Sequence, residues 1–292
     1  MRSCPPGIVY FEAAWRACAL SRTRVAAPAV PGRRRLRIHL AGIDAVRGRS
    51  MKIAIISDIH GNIEALEAVA GELDRLGVRE IVCLGDIVGY GASPRECLDF
   101  VTERATATVA GNHDAAAVCE GASDFFNQAA REACNWTVRV LRASDRAFLA
   151  SLPLRVKLEA LKVELVHAEC VMPRMFDYIQ DCVDGYRALQ MVEPGNVCFV
   201  GHTHVPVCFQ EEGPFYADCG RHRFDPKSRA VVNVGSVGQP RDGDRRASFG
   251  VFDSEERVLE VRRVAYDYES AARKIREEGL PQVLGDRLRF GR

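Results

Sequence analysis

Lys52-Ile53-Ala54-Ile55-Ile56-Ser57-Asp58-Ile59-His60 is the stretch that decides how this 292-residue chain folds. Residues 52–56 form an apolar run too short for a helix and followed at once by polar residues, which predicts a buried strand. Asp58 and His60 then fall just past the strand's carboxyl end. Beyond them Ile63, Leu66, Val69, Leu73 and Leu76 recur at helical spacing, and Gly77 stands where a left-handed residue closes a helix. The unit is strand, polar loop, helix.

The same unit returns downstream. A second strand over 80–84 ends at Gly85-Asp86, and a helix is expected to start near Ser93-Pro94, with serine as the cap and proline in the first turn. A third strand over 106–110 ends at Gly111-Asn112-His113-Asp114. Strands alternating with helices imply a parallel sheet, in which ligands gather outside the carboxyl ends of the strands. Residues 122–153 are helical in pattern, and their stripe of Phe125, Phe126, Ala129, Ala133, Trp136, Val140 and Leu141 is assigned to packing. After Leu154 strands dominate. Residues 163–166 lead to His167, residues 197–200 to Gly201-His202-Thr203-His204, and residues 230–234 to Gly235-Ser236. Residues 248–252 and 258–264 read as a hairpin, and 266–278 as a closing helix.

Five of the seven histidines thus stand in islands with carboxylates and an amide, each at a strand end. A single histidine in a strand is more often a hydrogen-bonded core residue than a ligand, so the ordered set carries the signal. Carboxylate oxygens and imidazole nitrogens without thiolate suit Mn, Fe, Zn, Co or Ni. Such groups can converge on two divalent ions about 3.5 to 4 Å apart if one carboxylate bridges them. Asp86, the single carboxylate of its island, is the natural bridge. Two ions lower the pKa of a shared water and clamp a phosphoryl oxygen, so the expected reaction is phosphoester hydrolysis by a metal-bridging hydroxide. No side-chain nucleophile is needed, and Ser57 and Cys170 are read as structural. His113 is expected to be catalytic, as general acid to the leaving group or as a positive donor to a phosphoryl oxygen. Asp114 is expected to hold one of its ring nitrogens.

Composition excludes other classes. The chain is 47% hydrophobic and 27% charged, as in ordinary globular proteins, and no apolar run reaches the roughly 18 to 20 residues of a membrane span. Residues 1–50 hold ten arginines against Glu12 and Asp44, out of 40 basic and 39 acidic residues overall, leaving 30 basic against 37 acidic from Met51 onward. That balance gives no footprint for nucleic-acid or membrane-surface binding, and the expected partner is a small phosphorylated substrate. Eleven cysteines at irregular spacing, with no Cys-x-x-Cys, read as reduced thiols in the cytoplasm. The arginine-rich leader 1–50 is a poor secretory signal and shares its composition with transit peptides. It is read as disordered or as an over-long gene model ahead of one domain spanning 51–292.

The series Asp-x-His, Gly-Asp, Gly-Asn-His-Asp, His, Gly-His-x-His resembles the calcineurin-like metallophosphoesterase superfamily over essentially everything after Met51. The resemblance implies an α/β sandwich of two mixed β-sheets flanked by helices. It also implies one metal on Asp58, His60, Asp86 and His204 and another on Asp86, Asn112, His167 and His202, with His113 catalytic and Asp114 its partner. Residues 85–91 and 233–242 are similar to the bacterial phosphodiesterase branch that includes diadenosine-tetraphosphatase-like proteins, which implies small phosphodiesters, cyclic nucleotides or dinucleoside polyphosphates as substrates. Gly89-Tyr90-Gly91 stands where protein phosphatases place Asp-Arg-Gly, which disfavours that activity. Val234 replaces the branch's usual proline, and Ala168-Glu169-Cys170 follows His167 in place of Gly-Ser-Pro. Glu169 is read either as a group near the metals or as part of a solvated turn. The competing readings are a phosphomonoesterase and a protein-binding scaffold of the same fold with degraded catalysis, against the second of which the complete ligand series argues.

Overall fold

The computed structural model describes residues 51–211 and 220–292; the leader 1–50 lies outside them. Three parallel strands, β1 (Lys52–Ile56), β2 (Glu80–Cys83) and β3 (Ala105–Thr108), open a six-stranded sheet. It is completed by β10 (Ala247–Asp253), β11 (Val258–Val264) and β8 (Arg221–Arg223), in the order β3-β2-β1-β10-β11-β8. The five-stranded second sheet runs β4-β5-β6-β9-β7, from β4 (Arg155–Leu158), β5 (Val163–Val166), β6 (Val197–Val200), β7 (Val207–Gln210) and β9 (Ala230–Asn233). β5, β6 and β9 are parallel, whereas β4 and β7 run antiparallel at the edges. The expected two mixed sheets are therefore present.

The unbroken apolar character of β1 follows from burial on both faces. Ile53 and Ile55 join Val82, Leu84, Leu165, Phe199 and Val232 between the sheets, while Ala54 and Ile56 turn outward with Ile81 and Cys83. The Phe199 and Phe252 rings meet edge to face, 5.5 Å between centroids, and tie one sheet to the other. Outside the first sheet lie α1 (Ile63–Leu76) and α2 (Pro94–Arg104), which contribute Leu66, Val69, Leu73, Leu98 and Val101. Asn62 caps α1 by accepting the Ala65 N–H, and Gly77 closes it in the left-handed conformation. Ser93 occupies the cap position of α2, but its hydroxyl makes no capping bond.

Residues 122–153 break into a 3-10 turn at Ala122–Phe125, then α4 (Gln128–Val140) and α5 (Ala143–Ser151), after the short α3 (Asn112–Ala116). The second sheet's outer face is covered by α6 (Cys182–Leu189), through Ala188 and Leu189. The C-terminal helix predicted over 266–278 is α7 (Tyr268–Glu277), followed by α8 (Gln282–Leu288). No described helix is long and apolar enough to cross a membrane. No disulfide joins two described cysteines.

Candidate metal centre

Every predicted site residue lies where a strand of the central parallel set ends. β1 leads to Asp58 and His60, β2 to Asp86, and β3 to α3 with Asn112, His113 and Asp114; β5 leads to His167, and β6 to His202 and His204. Asn112 is partly exposed and the others are buried. The loops follow an unusual path. Asp58, His60, Asp86, His202 and His204 all have positive φ, between 50° and 69°. A non-glycine residue in that region costs about 1–2 kcal/mol, so neighbouring loops must hold it there. They do so through Asp58 N–H to the Gly85 carbonyl at 3.1 Å, His60 N–H to the Asp86 carbonyl at 2.9 Å, and His202 N–H to the Asp58 carboxylate at 3.1 Å. Two island glycines are required by close approach. A Cβ on Gly111 would lie 2.0 Å from Asp86 Oδ1, and one on Gly201 2.6 Å from Asp58 Oδ2.

Second partners fix the imidazoles. Nδ1 of His60 lies 3.1 Å from the Val88 carbonyl, Nδ1 of His167 2.8 Å from that of Leu84, and Nδ1 of His204 2.6 Å from that of Gln239. A carbonyl only accepts, so each Nδ1 carries a proton and each ring turns its Nε2 inward, bearing a lone pair in His60 and His204, whose charged forms burial disfavours. The consequence is a crowd of metal-type ligand atoms. His60 Nε2 and His204 Nε2 stand 3.1 Å apart, His167 Nε2 is 3.2 Å from Asn112 Oδ1, and the buried His202 Nε2 has no hydrogen-bond partner. Asp86 Oδ2 lies 3.6 Å from His60 Nε2 and 3.4 Å from His167 Nε2, and Asp58 Oδ1 lies 3.4 Å from His204 Nε2. Neighbouring ligand atoms held about 2.1 Å from a common ion lie about 3 to 3.4 Å from one another. The donor set therefore fits divalent cations. Its compact groups are Asp58, His60 and His204; Asp86, His167 and His202; and His60, Asp86 and His113.

The electrostatics of the metal-free centre agree. Burial raises Asp58 to about 6 against the charge of His167, and burial with the Asp86 charge raises Asp114 to about 7. Burial also holds His60, His202 and His204 well below the usual range. His167 is the exception: burial opposes its charge, yet Asp86 prevails and raises it to about 9, while Asp86 itself falls well below 3.8.

Asp114 departs from the expected pairing. As the third residue after Gly111, its carboxylate turns back to accept the Gly111 N–H at 3.1 Å and reaches the Ile87 and Val88 N–H groups at 2.9 and 3.2 Å. It pins the Asp86 loop and not the His113 ring, whose buried Nδ1 has no partner. His113 is anchored instead by its backbone N–H to Asp86 Oδ1 at 2.8 Å, and by Tyr90 and Phe126, whose rings lie 4.4 and 4.5 Å from its own. Burial pushes its pKa down to about 4. Glu169 accepts the Val171 N–H at 2.6 Å, and also that of Met172, so it braces the turn after His167. Four residues given no site role from sequence line the centre: Tyr90, Phe126, Tyr178 and Arg241. Phe126 was grouped with a packing stripe and Tyr178 is an isolated aromatic; Tyr90 and Arg241 stand in the recognised motifs, the one available signal.

Known proteins place this geometry. Residues 51–257 match the model of the calcineurin-like phosphoesterase superfamily domain. The chain is 40% identical to the uncharacterized protein MJ0912 of Methanocaldococcus jannaschii over 82% of its own length and 98% of that protein. It is 27% identical to the phosphodiesterase YfcE of Escherichia coli, over 72% of this chain and 91% of the relative. A crystal structure of a metallophosphoesterase from Sphaerobacter thermophilus superposes with a TM-score of 0.74 at 37% identity, covering 84% of this chain and all of that one. Two mixed sheets, a buried crowd of metal-type ligands at their shared edge and a family match over most of the length agree: the chain belongs to the calcineurin-like phosphoesterase superfamily of metal-dependent phosphoester hydrolases.

Proposed function

We propose that this edge holds two divalent transition-metal ions, drawn from Mn, Fe, Zn, Ni and Co, and hydrolyses small phosphodiesters, cyclic nucleotides or dinucleoside polyphosphates. Asp58, His60, Asp86 and His204 would hold one ion, and Asp86, Asn112, His167 and His202 the other. The observation that carries the reading is the set of inward lone pairs, above all His60 Nε2 facing His204 Nε2 at 3.1 Å and the partnerless His202 Nε2. Bound there, two cations supply an acidified water as nucleophile and positive charge for the phosphoryl oxygens.

The protein's own groups do the rest. Asp86 joins the two ligand sets, and its Oδ1 fixes the start of α3 through the His113 N–H. His113, neutral at pH 7 because burial disfavours its charge, has one ring N–H to give to the leaving oxygen. That favours hydrogen-bond donation over the discharge of a stored proton. Asp114 keeps His113 in register through the backbone of both flanking loops. The name of the Escherichia coli relative supports diesters as the substrate class. Protein loaded separately with Mn, Ni, Co, Fe or Zn is expected to release nitrophenolate from bis-p-nitrophenyl phosphate, and metal-free protein is not. Absence of turnover in protein shown to bind two ions would overturn the hydrolase reading.

A further inference from the structure

One arginine stands among the metal-type ligands with no direct ion pair to a carboxylate among the described residues, although its charge acts on Asp58. Arg241 leaves the loop after β9, and its backbone N–H lies 3.4 Å from the His204 carbonyl. Its Nη2 donates to Gln239 Oε1 at 2.9 Å and lies 3.5 Å from the Tyr90 hydroxyl. The guanidinium sits 5.8 Å over the Tyr90 ring, which in turn packs 4.6 Å from His60 and 4.4 Å from His113. Its Nε is buried without a hydrogen-bond partner. Among the described residues no acid pairs with Arg241, and the adjacent Asp242 is taken by Arg263. A fixed cation with an unused donor, held beside a centre for phosphoryl chemistry, is complementary to an anionic oxygen.

Tyr178 lines the same space, with its phenol within hydrogen-bond reach of Arg241. Its ring stacks on His202 with centroids 4.0 Å apart and planes 29° off parallel, and the residue is still 45% exposed. One face is thus backed by a candidate ligand while the residue remains open to solvent. Arg241 acts on its phenol as it does on that of Tyr90, against the upward push of burial. The turn carrying Tyr178 is braced at its start by Glu169 and at its end by the Asp181 carboxylate, which caps α6. Val171 and Met172, in the turn braced by Glu169, are both about half exposed. A backed, half-open aromatic plane suits a flat ring better than a bare phosphate.

We propose that Arg241 and Tyr178 form the substrate subsite: Arg241 holds a non-bridging phosphoryl oxygen and Tyr178 stacks the base of a nucleoside-bearing phosphodiester. This rests on the hydrolase reading above and narrows it to nucleotide diesters. Two substrates with one leaving group separate the two roles: methyl p-nitrophenyl phosphate and the p-nitrophenyl ester of thymidine 5′-phosphate. In Mn-loaded protein Arg241→Gln is expected to lower kcat/KM on both by about 100-fold, the scale of a lost transition-state donor. Tyr178→Ala is expected to cut the preference for the nucleoside ester about tenfold, as for one lost base stack, and Tyr178→Phe to keep it. Calorimetry with thymidine 5′-phosphate should show weaker binding in Arg241→Gln and Tyr178→Ala, at unchanged metal content. Wild-type constants in Arg241→Gln, or an unchanged preference and affinity in Tyr178→Ala, would overturn the subsite. Loss of metal from Arg241→Gln with wild-type constants in Arg241→Lys would also overturn it, by assigning Arg241 to loop support. If wild-type protein cleaves neither ester but its nucleotide affinity still depends on both residues, the hydrolase reading fails and the subsite stands.

Discussion

Replacing Asp86 by asparagine is expected to reduce bound metal from two ions per chain to fewer than one and to abolish turnover. The side chain is 1% exposed, its Oδ1 takes the His113 N–H at 2.8 Å, and its Oδ2 faces His60 and His167 at 3.6 and 3.4 Å. Asparagine preserves the volume and one accepting oxygen, so packing survives. What changes is charge: two cations would lose their shared anion, and an amide N–H₂ can turn toward the Nε2 lone pairs that cations would otherwise use. Losing a group that only orients a ligand costs about 10–100-fold in affinity or activity, so loss of a shared ligand should cost ~1,000-fold or more in kcat/KM. The metal-free variant should melt below metal-free wild type, since the buried His167 loses the carboxylate that favours its charge, while added Mn should raise only the wild-type Tm. Elemental analysis and paired melts with and without chelator test this. A variant that keeps two ions and wild-type turnover would remove Asp86 from its bridging role.

His113→Ala separates chemistry from binding. Its ring lies against Tyr90, Phe126 and His60, and truncation leaves a hole among rings without touching Asp58, His167, His202 or His204. Metal content should remain at two ions, while kcat falls by about 100-fold or more, the typical cost of removing one donor to developing negative charge. KM for bis-p-nitrophenyl phosphate should move little. Because a histidine nitrogen also belongs to a compact group with His60 and Asp86, the opposite outcome is well defined: loss of one ion together with the rate would make His113 a ligand. Stability should fall through the cavity, by an amount visible in Tm but not in metal stoichiometry.

The parts of the fold that were legible share a physical cause. β1, β5 and β6 are buried on both faces, so each reads as a largely apolar run that stops just before the ligands it delivers. Three of the elements not identified lack that contrast. β8 is Arg-His-Arg at a sheet edge, β4 alternates Arg-Val-Lys-Leu, and α6 spans eight residues with Gly185 inside it. In the centre the ligand islands were legible because metal chemistry restricts residue types. The Asp114 contacts were not, since a capping carboxylate and a histidine-orienting one have the same sequence, and only the chain's turn at Gly111 decides between them. Tyr178 and Phe126 reach the centre by tertiary packing from loops without a motif.

The claim that matters most is that Asp86 stands between two ions. Crystals of Mn-loaded protein, with data collected on both sides of the metal absorption edge, test it directly. The account predicts two anomalous peaks about 3.5–4 Å apart, with the Asp86 carboxylate reaching both, His60 and His204 on one side, and His167 and His202 on the other. A single peak, or two peaks with Asp86 bound to neither, would contradict it.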